Sequence, residues 1–534
     1  MRTSEFLTIA GAIVPDRPAV IFDGAPVTFE ELQLRVNRLA NAMAEQGVGA
    51  GDRVAIMQVN SLQGIELYFA AAQLDAIYVP INFRAKTEEL EQMLTISQPS
   101  MLFLGERYLS LAPASGDGAL PAERVVVLDA PAAGKKPSAN PTYEQLVSGA
   151  DTEETHFPKS EDDDTTVIMF TAGTTGVPKG VMLTHDSFAS FLLSTVNPAD
   201  PEEEETNLLA VPLYHIAGLQ AALAAVYGGR TLVVMHQFEP LEWLTLVQNH
   251  QVNRAMLVPT MLKMVMDHPR FHEFDLASLN VITYGAAPMP IDVIRQAINE
   301  FPGARFINAF GQTETASTIT MLPPDDHVLE GGPEEIERKL RRLTSIGIPL
   351  EDVEVGIVDE DGQPVPLGEV GEIVARGARM MRGYWQQEAA TSEALRSGWI
   401  YTGDLAYQDE DSYIYLAGRA KDFIKRGGEM ISPEEVEQVL RSHPQVADAA
   451  IIGVADNEWG EEVRAIVVRR APGSSSGSEA EVTEDDLTGY CQERLSSFKR
   501  PRSVVFVDEL PRNVMGKVLK RDLREQFGYP LESK

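Results

Sequence analysis

The chain has 534 residues, 44% hydrophobic and 7% aromatic, an ordinary soluble composition but too long for a single core, so two or more domains are expected. A formal charge of −34, from 79 acidic against 45 basic residues, repels phosphate backbones and anionic bilayer surfaces and argues against nucleic acid and membranes as partners. The single cysteine, Cys491, excludes an internal disulfide framework and a Cys-rich metal site, and fits a cytoplasmic location.

The apolar part of the opening segment is about four residues, shorter than a signal peptide needs, so an amphipathic helix ending before Pro15 is expected. No apolar run approaches the roughly 18 residues of a membrane span. From Ala19 to about Leu128, short β-rich runs alternate with helical periodicity, as in Val27–Phe29, the helical Glu30–Met43 and the strand Val54–Met57. Such alternation predicts layered α/β structure with parallel sheets. Gly47-Val-Gly-Ala-Gly51 follows a helix and precedes a strand, the wrong order for a dinucleotide loop, and reads as a turn.

After an acidic linker, Asp151–Asp164, comes an apolar strand, Val167–Phe170, then Thr171-Ala-Gly173-Thr174-Thr175-Gly176-Val-Pro-Lys179-Gly, then a second apolar run, Val181–Leu183. Glycines let backbone N–H groups converge on an anion, threonine hydroxyls donate to phosphate oxygens, and Lys179 adds a mobile charge. This is a phosphate cradle by composition, although taken alone it also reads as a Gly/Thr-rich turn. It is not a Walker A loop, because Pro178 replaces the Gly before the lysine and Gly180 replaces the hydroxyl residue that would hold Mg²⁺.

Thr184 is expected to cap a helix, and Pro198–Glu205 to be a solvated loop. Leu208–Leu213 reads as a buried strand leading to Tyr214-His215-Ile-Ala-Gly218. Small residues at Gly285-Ala286-Ala287-Pro288, after the strand Val281–Tyr284, leave room for a flat ring, though a bare turn is the plainer reading. In Phe310-Gly311-Gln312-Thr313-Glu314 a hydroxyl and a carboxylate stand side by side, suited to a phosphate oxygen and a hard cation such as Mg²⁺. Asp326–Arg342 reads as a charged surface helix, and 353–375 as short strands of a small β-barrel-like subdomain. Asp404, after Thr402-Gly403, offers two acceptor oxygens for a diol. His268 and His272 have zinc-pair spacing but carry Pro269 and lack the accompanying Glu, which leaves a surface turn.

In this order the motifs resemble the signatures of the adenylate-forming superfamily (acyl-CoA synthetases, peptide-synthetase adenylation domains, beetle luciferases), and the resemblance runs from Pro15 to Lys517. It implies an α/β fold in which a large N-terminal domain of layered subdomains, residues 1–420, carries a small mobile α+β domain, residues 421–534. It further implies that Thr171, Gly173, Thr174, Thr175, Gly176 and Lys179 meet phosphate, and that Gly285, Ala286, Ala287 and Pro288 meet adenine. Phe310, Gly311 and Gln312 lead to Thr313 on the α-phosphate and Glu314 on Mg²⁺. Asp404 and Arg419 correspond to ribose and phosphate contacts, Lys421 to the hinge, Lys425 to the turn that meets the acyl-adenylate, His215 to a gate over the carboxylate, and Lys517 to the catalytic lysine of adenylation. The chain departs from the usual pattern at Ala172, where the family has Ser, and at Phe310, where it has Tyr or Trp.

The implied reaction is attack of a carboxylic acid on ATP to give acyl-AMP and pyrophosphate, then transfer to CoA. The segment Ile216–Ala225 carries no charge, unlike that of amino-acid-activating relatives, and fits an uncharged tail. Small Ala217 and Ala286 favour a medium- or long-chain fatty acid, with an aryl or alicyclic acid as the alternative. Loading of a carrier protein, light emission and a non-catalytic nucleotide-binding regulator stay open as further readings, as does a homodimer.

Overall fold

Caps and apolar runs place the helices and strands. The computed structural model describes all residues except 114–115, 117, 130–139, 160, 162–163, 172–176, 420–421, 427–428, 457–458, 471–481, 514–515 and 529–534. The first helix is Glu5–Ile13. The second, Phe29–Glu45, opens on a capping box in which Thr28 Oγ1 accepts from the Glu31 N–H at 3.1 Å and Glu31 Oε2 accepts from the Thr28 N–H at 2.9 Å. Thr184 caps His185–Thr195, as its position predicts. The charged helix Pro333–Arg342 buries no residue.

Two units make up the chain, Met1–Val355 with Ala375–Tyr401, and Gly356–Val374 with Thr402–Lys534. The first holds a seven-stranded and a nine-stranded sheet. In the seven-stranded sheet the strands Arg53–Met57, Ile77–Pro80, Met101–Leu104 and Val125–Val127 are parallel. Their side chains are almost all buried, because helices cover a parallel sheet on both faces, and this is why they read as unbroken apolar runs. Thr165–Thr171 joins this sheet and turns back antiparallel into Lys179–Thr184. The nine-stranded sheet contains Thr206–Leu209, Arg254–Leu257, Val281–Gly285 and Arg305–Gln312, parallel to one another, with Ser317–Leu322 antiparallel beside the last.

The strand expected over Leu208–Leu213 stops at Leu209. Pro212 has no N–H for a ladder, and its carbonyl oxygen would lie 2.1 Å from a Cβ at Gly218. The chain therefore bends, and His215 becomes the N-cap of the helix Ile216–Tyr227.

The strands expected within 353–375 occur as Glu354–Val358 and Gly371–Arg376. A further five-stranded sheet contains the long strands Val446–Asp456 and Gly460–Arg469. Alternation sends Ala449 and Ile451 into one core with Leu440 and Cys491, and Ala450 and Ile452 into another with Leu510 and Leu523. Among the described residues, no helix is long and apolar enough to cross a membrane.

Candidate functional site

Several of the motifs sit at the carboxyl ends of strands, where open α/β sheets present their loops to ligands. Thr171 ends its strand directly opposite Lys179. The Lys179 ammonium lies 4.7 Å from the centroid of the Tyr384 ring. Tyr384 belongs to a two-residue strand, Gly383–Tyr384, that pairs with the Lys179–Thr184 strand. Trp385 N–H fastens it further by donating to the Gly180 carbonyl at 2.7 Å. On its far side the Tyr384 hydroxyl donates to Glu314 Oε1 at 3.0 Å, and the Met381 N–H donates to the Glu314 carbonyl at 2.8 Å. Cation, ring and carboxylate thus form one chain drawn from three distant segments. Ala172, Gly173, Thr174, Thr175 and Gly176 lie outside the described residues.

Gly285 pairs with Ala309 on the neighbouring strand. A Cβ at Gly285 would lie 2.1 Å from the Ala309 carbonyl oxygen, so the close approach of the strands requires glycine. Ala286 follows with φ of +64°, exposed beside half-buried Ala287 and exposed Pro288. Phe310 and Gly311 flank a bulge in the pairing with Ser317–Leu322, and a Cβ at Gly311 would lie 1.5 Å from the Ser317 carbonyl oxygen. Gln312 leads into the short turn Thr313–Thr315, where the Thr315 hydroxyl accepts from the Gln312 N–H at 3.0 Å. Ala316 and Ser317 then adopt φ of 48° and 86°, backbone strain concentrated just after Thr313 and Glu314.

Behind Gly285, the Tyr284 hydroxyl lies 2.9 Å from His327 Nε2, and His327 Nδ1 lies 3.0 Å from the Pro323 carbonyl. A carbonyl only accepts, so Nδ1 carries the proton and Tyr284 donates to Nε2. Burial lowers the His327 pKa to about 4, keeping the ring neutral. The sequence reading did not find this support or Tyr384. The only signal for Tyr384 was the Gly383-Tyr-Trp385 run, and for His327 nothing beyond the residue type.

Burial likewise lowers His215 to about 4. Its ring packs on Tyr214 at 4.4 Å between centroids, and Tyr214 meets Phe83 edge-on at 5.5 Å. His215 Nε2 and the Tyr214 hydroxyl are buried with no hydrogen-bond partner among the described residues. The helix wall that follows is uncharged, as read from sequence, but it contains Gln220, only 4% exposed.

In the second unit, Asp404 stands opposite Arg419 on paired antiparallel strands. Asp404 is buried, and its N–H donates to Thr402 Oγ1 at 3.1 Å. Lys425 lies on the strand Ile424–Arg426, and Lys421 is outside the described residues. Lys517 is exposed; its N–H donates to Asn513 Oδ1 at 2.9 Å and its carbonyl accepts from the Asn513 N–H at 2.9 Å.

Residues 9–385 match the AMP-binding enzyme family, and residues 435–517 match the AMP-binding enzyme C-terminal domain. The chain belongs to this family. Its expected place among the AMP-forming acyl-CoA synthetases holds, and with it the binding of ATP and AMP. A feruloyl-CoA synthase of Amycolatopsis sp is 36% identical over 515 residues, 96% of each chain. A fatty acid–[acyl-carrier-protein] ligase of Streptomyces coeruleorubidus is 34% identical, covering 96% of this chain and 94% of that one. The crystal structure of ATP-bound MatB from Rhodopseudomonas palustris superposes with a TM-score of 0.84 at 28% identity over 99% of both chains.

Proposed function

We propose that this enzyme joins a carboxylic acid to the α-phosphate of ATP with loss of pyrophosphate, then passes the acyl group to the thiol of CoA. The observation that carries the reading is the Lys179–Tyr384–Glu314 chain beside the strand ends of Gly285 and Phe310. It sets a cation, a carboxylate and a flat apolar surface around one group of loops, which is what a nucleoside triphosphate requires.

In this reading Lys179 and the loop Thr171–Gly176 hold phosphate, Gly285–Pro288 and Phe310 flank the base, and Thr313 donates to the α-phosphate. Glu314 fits Mg²⁺ because that ion takes one or two carboxylates and completes its shell with water and phosphate oxygens. Bound there, Mg²⁺ would neutralise charge on the triphosphate. Among the described residues no cluster of three His, Cys, Asp or Glu offers a cage of a different kind. Neutral His215 borders the incoming carboxylate without repelling or protonating it. Asp404 and Arg419, paired across a hairpin, serve the ribose and phosphate, and Lys517 offsets charge during adenylation. Residues 421–534 would turn about Lys421 so that Lys425 replaces Lys517 for thioester formation.

The uncharged helix Ile216–Tyr227 supports an acid with an uncharged tail. A fatty acyl tail follows from small Ala217 and Ala286, and the feruloyl-CoA synthase relative gives an aryl tail equal support. The carrier-protein ligase relative keeps a protein thiol as the second reading for the acceptor. Pyrophosphate release from Mg-ATP, measured with fatty, aryl and amino acids with and without CoA, tests the proposal. Release with one acid class and faster turnover to AMP on adding CoA is expected. Release that CoA never accelerates would reassign the acceptor.

A further inference from the structure

Four buried side-chain atoms without a hydrogen-bond partner among the described residues lie on or just before one helix, Ile216–Tyr227. The Tyr214 hydroxyl, His215 Nε2 and both the nitrogen and the oxygen of the Gln220 carboxamide are buried and have no partner among the described residues. In a folded interior such groups are nearly always paired, because a dry, unpartnered amide is destabilising. Gln220 has a residue exposure of 4%, so bulk water does not satisfy it.

The helix shows where a partner would come from. Within Ile216–Tyr227 only Ala221 and Ala224 are partly exposed; every other residue is buried. At helical spacing Ala217, Gln220, Ala221 and Ala224 share one face. Three of these are alanines, so the face carries small side chains and a single polar group at its edge. At 1.5 Å per residue, Gln220 lies about 7.5 Å along the axis from His215, roughly the length of an aromatic ring with a short linker.

We propose that Gln220 reads a hydroxyl group on the tail of the acid substrate, so that the enzyme acts on hydroxylated acids in preference to their unsubstituted counterparts. A hydroxyl is the complement of a carboxamide, donating to Oε1 while accepting from Nε2. An alkyl or unsubstituted aryl tail would fill the same space and leave both amide atoms unpaired, which penalises the wrong substrate. This rests on the reading of His215 as the neighbour of the reacting carboxylate, and it makes Gln220 a specificity residue.

The test measures kcat/KM for pyrophosphate release with two pairs of acids, a para-hydroxylated phenylpropenoic acid with its deoxy analogue, and an ω-hydroxy alkanoic acid with its unsubstituted parent. The wild-type enzyme should favour the hydroxylated member of one pair by about tenfold or more, and that pair distinguishes a phenol from an alcohol. Gln220→Leu and the near-isosteric Gln220→Met should bring the ratio close to one, mainly by lowering turnover of the hydroxylated acid. Equal rates within both pairs for the wild type would overturn the proposal, and this comparison needs no variant to fold. A preference that survives both substitutions would overturn it as well. Equal rates leave the ligase reading standing, whereas no release with any acid would remove that reading and the proposal together.

Discussion

The Tyr384 hydroxyl donates to Glu314 at 3.0 Å while the Lys179 ammonium sits over the same ring at 4.7 Å. On the function proposed above, one side chain thereby orients the carboxylate that would take Mg²⁺ and holds close to it the cation that would meet phosphate. Had Lys179 reached Glu314 directly, the ion pair would have occupied the carboxylate. A phenol hydrogen bond leaves the second oxygen for a metal, and the cation–π contact, worth about 0.5–1 kcal/mol at exposed sites, leaves the ammonium's N–H donors for phosphate.

Tyr384→Phe keeps the ring and removes the hydrogen bond. The expected result is a Mg²⁺ requirement raised roughly tenfold or more, with a stability loss of only about 1 kcal/mol. Pyrophosphate release titrated against Mg²⁺ at saturating ATP measures it. An unchanged Mg²⁺ midpoint would show that Tyr384 does not orient Glu314.

Gly285→Ala forces a methyl against the Ala309 carbonyl, and Gly311→Ala forces one against Ser317. Both contacts are with backbone, which cannot step aside without breaking strand pairing. Each variant should lose at least about 2 kcal/mol of stability and bind nucleotide weakly. Thermal unfolding and ATP titration read these out, and a variant as stable as wild type would contradict the packing described.

Acid should weaken the fold before most carboxylates titrate. His215 and His327 take up a proton only near pH 4 when folded, against 6.5 for an unperturbed histidine. Below that unperturbed value the unfolded chain binds more protons, so stability falls as pH falls, and the loss is complete near pH 4. The melting temperature should drop between neutral pH and about pH 5, and His327→Gln should flatten that drop. Equal slopes for the two proteins would exclude His327 as a contributor.

Lys517→Ala should cut acyl-adenylate formation by at least about 100-fold while leaving thioester formation from supplied acyl-adenylate largely intact. Single-turnover assays of the two half-reactions distinguish them. Loss of both steps to the same degree would contradict a lysine that serves only the first.

Much of the framework was legible. Val167–Phe170 reads as a strand because both faces of its sheet are covered, and the capping chemistry of Thr184 marks a helix start. The charged stretch Asp326–Arg342 was legible as a surface helix only over Pro333–Arg342, which buries no residue, whereas Asp326 and His327 ahead of it are buried. The strand over Leu208–Leu213 is shorter than its apolar composition suggests and ends at Leu209, ahead of Pro212, which has no N–H for a ladder. The segment after His215 carries no charge, and Gln220 gives no signal of its own there because an amide in an apolar run has no charge to flag it.

The sequence by itself determined the α/β class, the order of the motifs and their residue types, because periodicity, capping and side-chain chemistry are local properties. Only the tertiary structure decided that Tyr384 joins Lys179 to Glu314, that Gly285 is pressed against Ala309, that His327 supports Tyr284 and that Gln220 is buried without a partner. Each of these depends on strand pairing or burial between segments far apart in the chain, and a group's partners and hydration are set by what the fold packs against it.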